Sequence, residues 1–117
     1  MEVRFAKGKW GEPSVIVWMR TLATLIRNEP TTPLERLLIM VDAESGICPP
    51  LDPQRFTFLN PDLNVFLERS LQGEWIGLST RSSAQPHGIG LSESALFDDQ
   101  GIFGGSAQSL VLAKRKL

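Results

Sequence analysis

Hydrophobic residues recur along this chain with two periods, one typical of a helix and the other of strands. Within residues 34–41 the apolar positions follow the i, i+3, i+4, i+7 spacing of one helical face, and two further apolar residues cover the other side. Thr32 begins a Thr-x-x-Glu capping box, Pro33 suits the first helical position, and Gly46 can end the helix. The sequence therefore predicts one helix of about three turns, apolar nearly all round and lying inside the domain.

Strand patterns lie on both sides of this helix. The segment Ser14–Ala23 is rich enough in β-branched and aromatic residues to form a well-covered strand. Four further candidate strands come after the helix: Leu63–Ser70, Glu74–Ser82, Gly90–Asp98 and Ile102–Lys114. Because the turns between them are short, these four strands are predicted to pair as an antiparallel meander.

The combination of one apolar helix and several antiparallel strands defines a fold class. A helix that is apolar on nearly all sides cannot be covered by one flat contact, so the sheet has to curl round it. The sequence predicts an α+β chain with the hotdog fold, an antiparallel β-sheet wrapped around one central helix. At 117 residues one domain is expected. Residues 1–13 lack a period and are expected to be a lead-in or linker, 14–115 the single domain and 116–117 a tail.

Composition removes several classes of function. The net charge is −1, whereas nucleic-acid binding needs clustered Lys and Arg, so no nucleic-acid partner is expected. No apolar stretch reaches the roughly 18 residues that span a bilayer, and no signal-peptide pattern is present, so we expect a cytoplasmic protein without a membrane partner. Single Cys48 and His87 provide neither a metal cluster nor a nucleophile and base at recognisable spacing, and we expect no metal and no cofactor.

Several short segments, taken in order, resemble a known family. They are VWMR at 17–20, PLERLLIMVDAESGI at 33–47, NPDL at 60–63, GEW at 73–75, GIG at 88–90 and SAQS at 106–109. Their order and spacing, over residues 15–115, resemble the C-terminal hotdog half of acyl-CoA thioesterase-like proteins of the thioesterase II type. The resemblance implies the hotdog fold and the hydrolysis of coenzyme A thioesters without a covalent nucleophile.

The resemblance also implies which residues hold the attacking water. In the family an Asp near the end of the central helix, a Gln on the final strand and a Thr or Ser on an intervening strand share this role. Asp42 matches the first position and Gln108 the second. The hydroxyl position falls at about Leu59, where Thr57 and Asn60 are the nearest polar residues, and Asn60 is the third candidate site residue.

Each candidate also has a plainly structural interpretation. Asp42 lies beside the most apolar stripe of the helix, so partial burial is expected, although a solvent-facing residue in the last turns is the alternative. Gln108 is expected on a core or interface face, either as a buried hydrogen-bonding amide or as a water-holding group. Asn60 could belong to an Asx turn beside Pro61.

Two functions follow for this chain. The first is an acyl-CoA thioesterase that hydrolyses an acyl thioester through water positioned by Asp42 and Gln108. The alternative, favoured by Leu59, is a non-catalytic acyl-CoA-binding or assembly domain of the same fold. Family members usually carry two hotdog halves, and a lone sheet edge is a liability, so we expect a homodimer or pairing with a second hotdog domain.

Overall fold

The computed structural model of this protein describes residues 2–21, 30–42, 56–59, 62–85 and 88–114. This part of the chain contains seven strands and one helix. In chain order they are β1 (Glu2–Lys7), β2 (Ser14–Arg20), α1 (Pro33–Asp42), β3 (Phe56–Leu59), β4 (Asn64–Leu67), β5 (Ile76–Gln85), β6 (Ile89–Asp98) and β7 (Gly101–Lys114).

All described strands belong to one antiparallel sheet. Its order is β1-β2-β5-β6-β7-β3, and β4 also pairs with β7. Since β6 occupies one edge of β7, β3 and β4 must share the other, with β3 opposite residues 111–114 and β4 opposite residues 104–107. The seven strands therefore fill six positions across the sheet.

The helix begins at the predicted capping box. The Thr32 hydroxyl accepts a hydrogen bond from the Glu35 N–H at 3.2 Å, and the Glu35 carboxylate accepts one from the Thr32 N–H at 3.1 Å. These two bonds satisfy N–H groups that the first turn of a helix leaves without partners. The predicted helix start is confirmed, whereas the predicted stop, Gly46, lies outside the described residues.

Only one face of α1 is buried. Leu37, Met40 and Val41 are at most 1% exposed, but Leu34 and Leu38 retain 53% and 41% of their accessible surface. The prediction of a helix enclosed on all sides is therefore wrong for the described chain. Within the residues that the structure describes, the sheet covers the helix from one side and the Leu34–Leu38 side remains uncovered.

The core lies between this buried helix face and one face of the sheet. In β2 every second residue points inward, giving the buried series Val15, Val17 and Met19. Residues from β5, β6 and β7 complete the same apolar cluster with α1: Ile76, Leu78, Leu96 and Phe103. Alternate burial along a strand follows from the two-residue period of its side chains.

The predicted meander is confirmed for β5, β6 and β7 but is wrong for β4. β5, β6 and β7 pair consecutively, as their short turns predict. β4, however, pairs with β7 rather than with β5, so the connection between β4 and β5 must cross to a different part of the sheet. Two further strands lie in segments without a strand prediction: β1, in the expected lead-in, pairs with β2, and β3 pairs with β7.

Candidate active site

Gln108 connects the last strand to the end of the helix. Its side chain is fully buried, and its Nε2 donates a hydrogen bond to the Val41 carbonyl at 3.0 Å. Its Oε1 is also buried and accepts no hydrogen bond from any residue in the described part of the chain. A buried acceptor without a donor is rare in folded proteins, so this oxygen marks a place where a further donor belongs.

Asp42 directly follows Val41, the residue that Gln108 contacts. The two predicted site residues are therefore brought together at the C-terminal end of α1, one on the helix and one on β7. The Asp42 side chain is exposed, which corrects the expected partial burial. Asp42 lies four residues after Leu38 and eight after Leu34, so all three share the helix face that the sheet leaves uncovered.

The third candidate, Asn60, lies outside the described residues, but the strands on either side of it are defined. β3 ends with Leu59 opposite Val111, and β4 begins with Asn64 opposite Ala107. Residues 108–110 of β7 lie between these two pairings, so the described edge pairing is interrupted directly beside Gln108.

The Asp62 side chain contacts β7 where the edge pairing is interrupted. Its Oδ1 accepts a hydrogen bond from the Ser109 N–H at 2.9 Å. Ser109 lies in the part of β7 that neither β3 nor β4 covers, so the carboxylate takes the place of a strand partner. We assign Asp62 a structural role in keeping the sheet closed next to Gln108.

Two rows of buried hydroxyl groups cross the sheet beside Gln108. One row runs from Ser82 through Ser92 to Gln108, and the other from Thr80 through Ser94 to Ser106. The Oγ atoms of Ser82 and Ser92 are 2.7 Å apart, as are the hydroxyl oxygens of Thr80 and Ser94. These rows are not predictable from the sequence, because alternate Ser and Thr residues in a strand are typical of a solvent-facing surface.

An apolar cavity lies at the opposite end of α1 from Asp42. It has a volume of about 250 Å³ and is lined by Thr32, Pro33, Leu34, Leu37, Leu67, Ser70 and Leu71. From Leu34 to Asp42 the helix rises about 12 Å. The exposed stripe of Leu34 and Leu38 therefore connects this cavity to the carboxylate.

A second carboxylate, Asp98, has hydrogen-bond partners that indicate a structural role. Its side chain is fully buried and receives two hydrogen bonds from the Arg69 guanidinium, at 2.6 and 2.7 Å. The backbone N–H groups of Gln72 and Gln100 donate to it at 2.9 and 2.8 Å. The Arg69 hydrogen bonds, aided by these two N–H groups, hold the pKa of Asp98 far below its ordinary value, although burial opposes the shift.

Comparison with known proteins assigns this architecture to a family. The sequence pattern of the acyl-CoA thioesterase C-terminal domain matches residues 2–112, so the chain belongs to that family. This confirms the resemblance, and the match includes the strand β1. Comparison with curated proteins gives no match. Among the described residues, no helix is long and apolar enough to cross a membrane.

Solved structures confirm the hotdog fold. A hypothetical thioesterase from Streptococcus pneumoniae, solved with coenzyme A, superposes with a TM-score of 0.71 at 8% identity, covering 99% of this chain and 89% of that one. A Streptococcus mutans protein bound to acetyl-CoA gives 0.67 at 12% identity, covering 97% and 92%. A thioesterase from Haemophilus influenzae gives 0.65 at 12% identity, covering 96% and 78%.

Proposed function

We propose that this protein is an acyl-CoA thioesterase that hydrolyses an acyl thioester through a water molecule held between Asp42 and Gln108. The observation that carries the proposal is the hydrogen bond from Gln108 to the Val41 carbonyl, immediately before Asp42. It holds the Gln108 amide against the backbone of the last turn of α1, one residue before Asp42. The amide contributes a buried oxygen that accepts no hydrogen bond from the described residues, and the carboxylate is exposed.

These two groups suit the first step of hydrolysis. A water that donates one hydrogen bond to Gln108 Oε1 and the other to the Asp42 carboxylate has its oxygen lone pair free for attack. As that oxygen bonds to the thioester carbonyl carbon, Asp42 takes up a proton as general base. Cleavage of the C–S bond then yields a carboxylic acid and the coenzyme A thiolate, which receives the proton.

The uncovered face of α1 supports an apolar acyl group as the second part of the substrate. Leu34 and Leu38 are exposed on the same side as Asp42, and the cavity beyond them is lined mainly by apolar residues. An acyl chain lying on this stripe would bury apolar surface that is otherwise in water. The substrate class that fits the site is therefore an acyl thioester whose chain extends from Asp42 towards the cavity.

We further propose that a second hotdog domain, from another copy or another chain, completes the site. Three large apolar side chains are exposed around the β4 edge and the helix stripe, Leu34, Leu38 and Leu67, and Phe66 is exposed on the other face of β4. Outside its pairing with β7, β4 pairs with no other strand in the described ranges. An unpaired strand edge beside exposed apolar residues favours association with another domain.

A thiol-release assay with acyl-CoAs of short to long chain length tests the thioesterase proposal. Asp42→Asn should lower turnover by about 10²-fold or more because it removes the base, and its melting temperature should stay within a few degrees because the side chain is exposed. Gln108→Ala should cost about 10²-fold, since one water-holding group is lost. Because Gln108 is buried, the turnover rate of the Gln108→Ala variant is normalised to its folded fraction. Asp99→Asn, which changes an exposed carboxylate in the β6–β7 turn, is the matched control.

The same assay separates the two candidate functions. Turnover that survives Asp42→Asn would contradict the proposed base. An absence of turnover by the wild type on every chain length, together with measurable acyl-CoA binding, would favour the alternative, a non-catalytic acyl-CoA-binding domain. That alternative draws on Leu59 at the position where the family places a hydroxyl.

A further inference from the structure

One row of side chains extends from Gln108 across the buried face of the sheet. Gln108 is directly opposite Ser92 on β6, and Ser92 is directly opposite Ser82 on β5. All three are buried, with Ser92 and Gln108 fully inaccessible. Residues in this relation on one sheet face have Cβ atoms about 4.5–5.5 Å apart, which is close enough for polar side chains to interact.

In this row one serine O–H and one buried amide oxygen, Gln108 Oε1, have no assigned partner among the described residues. Two hydroxyl groups bring two O–H donors, and the 2.7 Å contact between Ser82 and Ser92 uses one of them. The second O–H needs an acceptor, because buried polar groups are almost always paired. At the next position of the row, Gln108 Oε1 is a buried acceptor that receives no hydrogen bond from the described residues.

We propose that Ser82 donates to Ser92 and that Ser92 donates to Gln108 Oε1 through one bridging water. This chain of donors orients the amide, because Nε2 donates to the Val41 carbonyl at one end while Oε1 accepts from the water that Ser92 holds at the other. A carbonyl oxygen has two lone pairs, so Oε1 can accept from this water and still hold a second donor. Ser92 is thus a positioning residue for the water-holding amide, an inference that rests on the proposed function.

The neighbouring row supplies a matched control. Ser94 is on the same strand and the same face as Ser92, is also buried, and has the same 2.7 Å hydroxyl contact, with Thr80. It is opposite Ser106 rather than Gln108. Ser94→Ala therefore removes an equivalent buried hydroxyl without touching the Gln108 row.

Steady-state kinetics should separate the two serine variants. Ser92→Ala is expected to lower kcat about tenfold, the effect of one hydrogen bond, with KM changed less than twofold. Ser94→Ala should leave kcat within about twofold of wild type after normalisation to folded protein. Ser82→Ala should have a smaller effect than Ser92→Ala, because Ser92 keeps its own O–H. Equal losses of kcat in Ser92→Ala and Ser94→Ala would overturn the inference.

The side-chain amide resonances of Gln108 provide a readout that needs no turnover. In ¹⁵N-labelled full-length protein, Ser92→Ala should shift these resonances and speed their hydrogen exchange, whereas Ser94→Ala should leave them as in wild type. Ser92→Cys, which keeps the size but donates weakly, should shift them in the same direction and serves if the alanine variant does not fold. Unchanged Gln108 resonances in both Ser92 variants would overturn the inference, whereas a shift without thioesterase activity would keep the hydrogen-bond chain and reject the proposed reaction.

Discussion

Replacement of Asp98 by asparagine tests how the crossing connection between β4 and β5 is held in place. Asp98 ends β6, and its partner Arg69 lies in that connection, just after β4. Arg69 also donates to the Gly101 carbonyl at 3.1 Å, and Gln72 in the same connection donates to Asp98. The carboxylate therefore ties the connection to the β6–β7 turn.

The number of hydrogen bonds lost sets the expected decrease in the free energy of unfolding. The asparagine side chain would have nearly the same shape as the aspartate, but one acceptor oxygen would become an NH₂ group facing donors, so one guanidinium hydrogen bond and one backbone N–H bond would be lost. Hydrogen bonds to charged groups contribute about 1.5–3 kcal/mol each, and solvent reaches part of the Arg69 side chain, which reduces the loss. We expect Asp98→Asn to lower the free energy of unfolding by about 3 kcal/mol and the melting temperature by about 10 °C at neutral pH.

The effect should depend on pH in a defined direction. The pKa of Asp98 in the folded protein lies far below its ordinary value of 3.8, mainly because of the Arg69 hydrogen bonds. A group with a lowered pKa stabilises the fold fully above its unfolded pKa and loses that contribution as pH falls through its folded pKa. The stability gap between wild type and Asp98→Asn should therefore be constant near neutral pH and shrink below about pH 4.

Urea unfolding at a series of pH values measures this gap. The control is Asp99→Asn, which removes the exposed neighbouring carboxylate and should differ little from wild type throughout. A gap for Asp98→Asn that stays the same from neutral pH to about pH 2 would refute the assigned charge interaction. A melting temperature within about 2 °C of wild type would refute its structural importance.

Two further predictions concern close packing and association. Gly77→Ala should destabilise the fold by about 1–3 kcal/mol in denaturant unfolding, because the new Cβ would lie 2.0 Å from the Phe97 ring, which stacks edge-on against Trp18. Gly105→Ala, whose Cβ would have its nearest contact at 3.4 Å, is the control, and equal losses in both variants would contradict the packing argument. In sedimentation the chain alone should have twice its own mass, and Phe66→Asp should lower that mass. A monomer at high concentration would exclude the homodimer and leave a separate hotdog domain as the partner to test.

The elements with strong local chemistry are those that the sequence predicted correctly. The helix start at Thr32 depends on a reciprocal bond between residues three apart, and the β5–β6 and β6–β7 turns depend on short connections. β1 had no such basis, because all six of its residues are exposed and no alternation of apolar and polar positions is required. The pairing of β4 with β7 depends on contacts far apart in sequence, including the bond between Arg69 and Asp98.

The family resemblance suggested candidate site residues but not their surroundings. Asp42 and Gln108 were expected from the family resemblance, and the structure places Gln108 against Val41, the residue before Asp42, although 66 positions separate residues 42 and 108 in the sequence. The exposure of Asp42 depends on which helix face the sheet leaves uncovered, and no local pattern specifies that. The burial of Ser92 depends in the same way on the face of β6 that meets the core.

Gln108 and Asp42 have different surroundings because Gln108 lies in the buried interior, whereas Asp42 lies on an exposed face of the helix. Gln108 is part of the sheet interior, so its orientation is fixed by the fold of this chain. Asp42 is on the helix face where Leu34 and Leu38 remain exposed, so its surroundings depend on what covers that face. A hotdog domain docked on the stripe would exclude bulk water from the carboxylate and strengthen its interaction with a held water molecule. The two proposals are therefore coupled, because the Gln108 amide is held within this chain, whereas the proposed second domain would complete the surroundings of Asp42.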